Sequence, residues 1–175
     1  MARIILVYGV IAGVTVAVLM RIAMMLFPEG GTAGMAAGFS SMIVALTFVF
    51  VGVKRYRDVE LGGVIRFGKA LGVGFGIAAI ASVFYVVAWE AYLYFTDYTF
   101  MDEYTRMALE QAQKAGKSTA EVAALGKEMD GFKALYANPL SRVTVTFMEI
   151  SPIALLMPII SATLLRNSRF MPARA

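Results

Sequence analysis

Cysteine and histidine are both missing from this chain of 175 residues. Their absence removes disulfides, thiolate and imidazole metal sites, Cys–His and Ser–His catalytic pairs and imidazole proton shuttles, and much of enzyme chemistry goes with them. Charge is scarce as well, at 16% of residues, where a soluble domain carries about 25%. What is present is apolar: 59% of residues are hydrophobic and the mean hydropathy is +0.72. The chain therefore reads as one membrane-embedded unit. Its net charge of +4 would point to nucleic acid in a soluble protein, but most of the basic residues flank apolar runs, where they orient a membrane protein and meet anionic headgroups. Nucleic acid is accordingly set aside as a partner, and membrane lipids take its place.

Four runs are long and apolar enough to cross a bilayer, at about residues 4–27, 33–53, 69–95 and 140–165. The basic residue Arg3 before the first run resembles the start of a secretory signal, but the run is long for one and no small-x-small cleavage site follows it, so it is expected to be retained. A turn at Pro28–Thr32 makes the first two spans antiparallel neighbours. Lys54, Arg55, Arg57, Arg66 and Lys69, broken by Gly62-Gly63, form the most basic short loop. Span three ends in a belt of Trp89, Tyr92, Tyr94, Phe95 and Tyr98, residues that favour the membrane interface.

Residues 96–139 are too long for a bare loop, and the composition predicts a helical hairpin over Asp102–Ala115 and Ser118–Tyr136. Ser118 and Glu121 have capping-box spacing. Val122, Leu125, Met129, Phe132 and Tyr136 lie on one stripe of the second helix and must pack on something. This hairpin carries seven acids against five bases. The amino end, the loop after span two and the tail instead carry Arg3, Lys54, Arg55, Arg57, Arg66, Lys69, Arg166, Arg169 and Arg174, opposed only by Asp58 and Glu60. The positive-inside rule then places both termini in the cytoplasm and the hairpin outside, with the bacterial inner membrane as the expected location. The predicted fold class is all-α: a four-helix transmembrane bundle with an extracytoplasmic hairpin between spans three and four.

Three features are candidates for function. Gly9 and Gly13 in span one, Gly34 and Gly38 in span two, and Gly68, Gly72 and Gly76 in span three recur at every fourth residue. Such spacing lets helix backbones approach closely, within the bundle or between copies of the chain. Arg21, Glu90 and Glu149 lie inside spans, at depths of roughly 9, 8 and 14 Å from the outer ends. An ionisable group at depth needs a partner or a purpose, so Arg21 is expected to pair with Glu149, Glu90 or both, as a static ion pair or as a proton or ion site. Arg142, near the start of span four, is expected to snorkel to the interface. Pro152 and Pro158 each remove a backbone hydrogen bond in span four, and Pro152 frees a carbonyl near Glu149 in sequence. Met20, Met24 and Met25 raise copper as an alternative, but helical spacing within a span favours packing. Neither a cofactor nor a metal is expected.

The run Lys54-Arg55-Tyr56-Arg57-Asp58, then Gly62-Gly63-Val64-Ile65-Arg66-Phe67-Gly68-Lys69-Ala70, Asn138-Pro139-Leu140, Phe147 and Glu149-Ile150-Ser151-Pro152 resembles the pattern of a bacterial family of four-span membrane proteins catalogued as domain of unknown function 4199. The likeness runs from the first span to about Leu165. It implies an integral inner-membrane protein of this architecture and brings no substrate, activity or catalytic residue with it. The function expected from the residues is non-enzymatic assembly, with copies of the chain or a membrane-protein partner, through the glycine faces and the hairpin. The alternative is a small ion- or proton-coupled transporter using Arg21, Glu90 and Glu149 around the Pro152 kink. No nucleophile has an adjacent base in the sequence to favour an enzyme.

Overall fold

The computed structural model describes residues 1–28 and 31–173. Within them lie six helices: α1 (Ala2–Leu26), α2 (Gly31–Glu60), α3 (Phe67–Phe95), α4 (Phe100–Lys114), α5 (Thr119–Ala137) and α6 (Pro139–Leu165). Glu29 and Gly30 of the first turn, and Arg174 of the basic tail, lie outside the described residues. Helices α1, α2, α3 and α6 are each long and apolar enough to cross a membrane. Their outward faces carry residues such as Leu6, Val14, Val83, Val87, Leu155 and Leu156, which water would reject and acyl chains accept.

The spans pack with α1 against α2 and α3, α6 against α3 and α2, and α2 touching α3 across the middle. Val16, Leu46, Val49, Val73, Ile77 and Ile150 are among the side chains of the shared core. Glycine sets the closest approaches. A Cβ on Gly9 would sit 2.7 Å from Cβ of Ile80, on Gly76 2.9 Å from Cγ2 of Ile5, and on Gly13 2.6 Å from Cβ of Phe84. These three glycines are therefore spent on the α1–α3 contact. Gly68 and Gly72 have open space where a Cβ would stand. Gly13→Ala is expected to force α1 and α3 apart and cost about 1–3 kcal/mol. Gly72→Ala should be neutral or slightly stabilising through helix propensity. Thermal melts of both variants in detergent, followed by circular dichroism, check the contrast.

Helix α2 runs past its apolar run to Glu60, so Lys54–Asp58 is helix rather than loop; the chain breaks at Gly62 and Gly63, whose φ values of 64° and 93° suit glycine. The amino group of Met1 pairs with Glu60 at 2.7 Å, which puts the start of α1 beside the end of α2. In the hairpin, Ser118 and Glu121 form the reciprocal cap, the Ser118 amide donating to the Glu121 carboxylate at 2.8 Å. That interaction with Ser118 holds the Glu121 carboxyl below its ordinary range. The Asn138 side chain caps α6 by accepting from the Leu140 and Ser141 amides at 2.9 and 3.2 Å, with Pro139 at the first helical position.

Candidate functional site

Hydroxyls inside the spans mostly bond back to their own helix: Ser41 to the carbonyl of Ala37, Ser82 to Ala78, Thr146 to Arg142 and Ser161 to Met157. That habit satisfies polar groups that lipid cannot. Pro152 follows the same logic. The carbonyl it frees, four residues back at Met148, accepts from the Ser151 hydroxyl at 2.8 Å, so the kink leaves no open acceptor there. Pro158 is buried against Gly74, where a Cβ would lie 2.9 Å from the proline Cβ. Neither proline builds a polar cavity by itself.

The ionisable groups are partnered differently from the sequence expectation. Glu90 is held by Arg142, whose Nε and Nη2 each donate to one carboxylate oxygen at 2.7 Å. Nη1 of Arg142 donates to the Tyr136 carbonyl at 2.9 Å, and the guanidinium lies 4.9 Å from the centroid of the Tyr98 ring. Arg142 is 6% exposed, so it does not snorkel outward. It joins α3, α5 and α6 at the hairpin side, and Asp97 and Tyr98, with φ values of 49° and 57°, turn the chain beneath it. Arg21 makes no ion pair among the described residues. Its guanidinium rests 5.1 Å from the centroid of Tyr92, a cation–π contact. The expected pairing of Arg21 with Glu90 or Glu149 is thus replaced by Arg142 with Glu90, because a rigid two-pronged fit needs the helix faces turned toward each other and not only matched in depth.

Glu149 does meet a partner, the buried phenol of Tyr85, which donates to it at 3.0 Å. Both line a cavity of about 390 Å³ in the hairpin half of the bundle. The cavity exists because α2 buries no residue before Met42, so its first turns stand away from the other spans. Gly38 and Met42 of α2, Met20 and Arg21 of α1, and Glu149 of α6 contribute to its walls. The α3 wall is aromatic. Tyr85, Trp89 and Tyr92 lie on one face at spacings of four and three, and Trp89 stacks edge-on to Phe100 at 4.8 Å. The first turn of α4 closes that side with Phe100, Glu103 and Tyr104. Met24 and Met25 also reach the cavity, and there they supply soft, adaptable wall. Among the described residues no cluster of three or more acidic side chains is placed to hold a metal ion.

Beside the cavity, the indole N–H of Trp89 is buried without a well-formed hydrogen bond, and the polar group it interacts with is the phenol of Tyr136. Burial pushes that phenol above its ordinary range, and the nearby charge of Glu149 acts in the same direction. Tyr85 and Trp89 were not singled out by sequence as site residues. Their signal was the α3 aromatic stripe, which reads equally as an interface belt. Of the basic set, Arg55, Arg66 and Lys69 are exposed and Lys54 is half-buried. Arg57 is fully buried and bound to the tail, so it does not face headgroups.

Four apolar spans, a two-pronged ion pair and an aromatic cavity in one half define an all-α polytopic membrane protein. The chain belongs to the family described as "Protein of unknown function (DUF4199)", whose model matches residues 7–167. No curated protein and no solved structure matches it.

Proposed function

We propose that this is a non-enzymatic multi-pass protein of the bacterial inner membrane, with both termini cytoplasmic, whose outer-half cavity receives a small, largely apolar ligand. The observation that carries the reading is the cavity itself: about 390 Å³ lined by aromatic and methionine side chains, with Glu149 hydrogen-bonded to Tyr85 as a polar feature of its wall. Cavities of roughly 300–1,000 Å³ with apolar walls and a few polar groups are the usual form of a small-molecule site. The orientation rests on the basic residues Arg3, Lys54, Arg55, Arg66 and Lys69 at the amino end of α1 and around the α2–α3 connection. The same residues suit anionic lipid headgroups. Assembly through glycine faces has less to rest on, since Gly9, Gly13 and Gly76 are committed to contacts within the chain, while Gly68 and Gly72 stand open and the open Gly38 lines the cavity.

Gly38 supplies the test, because it lines the cavity and nothing lies within 4 Å of where its Cβ would be. Gly38→Phe should fill the space without disturbing a helix contact. The neutral dye N-phenyl-1-naphthylamine, titrated against detergent-solubilised protein, is expected to bind the wild type saturably and the Gly38→Phe variant at least about tenfold more weakly, a shift of about 1.4 kcal/mol. Equal binding by both proteins, or none by the wild type, overturns the reading.

A further inference from the structure

We infer that the ligand class of this cavity is a lipophilic organic cation, an apolar or aromatic body bearing one diffuse positive charge. The inference rests on the cavity-binding reading above and adds the charge and chemistry of the occupant. Two carboxylates, Glu149 and Glu103, and one guanidinium, Arg21, line the space, which leaves a net formal charge of one negative. The guanidinium is already engaged on the Tyr92 ring, 5.1 Å from its centroid. Glu149 has no cationic partner among the described residues, and its hydrogen bond is to Tyr85, a neutral donor. An ionised carboxylate at this depth of a bilayer is costly unless something positive answers it.

The aromatic wall selects what kind of positive group fits. Tyr85, Trp89, Phe100 and Tyr104 line the same cavity as the carboxylate, and Trp89, Tyr92 and Phe100 brace one another with centroid separations of 5.5, 4.8 and 6.4 Å. Ring faces attract a cation and also solvate an apolar body, so a strongly hydrated inorganic ion gains little here while an organic ammonium or phosphonium gains from the aromatic wall. An anion meets two carboxylates against one guanidinium.

The chain carries one tryptophan, and it lies in the cavity wall, so its fluorescence reports occupancy directly. Purified protein in dodecyl maltoside is titrated with tetraphenylphosphonium and, in parallel, with tetraphenylborate, its anionic counterpart of matched size and shape. Tetraphenylphosphonium is expected to change Trp89 emission saturably, with affinity at least about tenfold above that for tetraphenylborate. Glu149→Gln should weaken cation binding about tenfold or more, Glu149→Asp should keep most of it, and Arg21→Gln, which removes the one positive charge lining the space, should strengthen it. Binding of N-phenyl-1-naphthylamine to Glu149→Gln shows that the variant is folded; if that is lost too, the wild-type comparison of the two ions and the Glu149→Asp result decide. Equal affinity for the two ions, unaltered cation binding in a folded Glu149→Gln, or loss of cation binding in Arg21→Gln overturns the inference, and neutral-dye binding then leaves the cavity reading standing.

Discussion

Arg142→Met is expected to destabilise the protein by about 3 kcal/mol, the low end of the range for removing one partner of a buried ion pair because Glu90 keeps 27% of its side chain exposed, and to loosen the hairpin from the bundle. The size of the effect follows from what the guanidinium satisfies. Two of its nitrogens bond the two oxygens of Glu90 at 2.7 Å each, and a third holds the carbonyl of Tyr136 at 2.9 Å. Truncation strands the Glu90 carboxylate at the edge of the bilayer and orphans a carbonyl in the last turn of α5, so two penalties arrive together. Lysine in its place restores charge but not the fork, and should recover only part of the loss. Removing both charges, in Arg142→Met with Glu90→Leu, should be less damaging than Arg142→Met alone, which makes the coupling measurable in a double-mutant cycle. Melting temperature in detergent reads the stability. Trypsin cleavage after Lys117, between the hairpin helices, reads the docking. A single variant that melts with the wild type and resists trypsin equally would mean that the pair contributes nothing.

The spans were legible because apolarity sustained over some two dozen residues is a property of composition, and the Ser118–Glu121 cap was legible because its partners are three residues apart. Azimuth was not. Depth along a helix can be read from residue number, but the direction a side chain faces around its axis depends on how the neighbouring helices are turned. Arg21 and Arg142 both fall near the hairpin-side ends of spans; only the packed bundle gives Glu90 to one and Tyr92 to the other. Glycine spacing shows the same limit. Four residues advance an α-helix by about 400°, so each step drifts about 40° and Gly76 stands about 80° around α3 from Gly68. Gly76 accordingly meets Ile5 on α1 while Gly68 and Gly72 meet nothing. The cavity was hidden for a third reason. It is an absence, left where α2 departs from the other spans; Glu149 stands out in the sequence as an ionisable group at depth, but Tyr85 and Trp89 join it as site residues only where the three share the space.

Arg57→Met is expected to cost a comparable amount, about 3–5 kcal/mol, at the opposite end of the molecule. Read as part of a basic run, Arg57 is an orientation charge, and an orientation charge tolerates lysine. The structure gives it another task. The side chain is fully buried, its Nε donates to Asp58 at 2.7 Å, and Nη1 donates to the Phe170 carbonyl at 2.9 Å while Nη2 reaches the carbonyl of Met171. The tail after α6 is thereby tied to α2, with Phe170 packed edge-on against Phe50 at 6.4 Å. A buried guanidinium serving a carboxylate and two carbonyls uses its planar fork, which an ammonium does not reproduce. Arg57→Lys should therefore lose most of the stability that Arg57→Met loses, although the net charge is unchanged. Arg55→Ala, two residues away and exposed, should stay within about 0.5 kcal/mol of the wild type. Hydrogen exchange localises the effect: amides around Phe170 and Met171 should lose protection in both Arg57 variants and keep it in Arg55→Ala. If Arg57→Lys melts and exchanges as the wild type does, the residue acts as a charge alone and the tail is held by Phe170 packing without it.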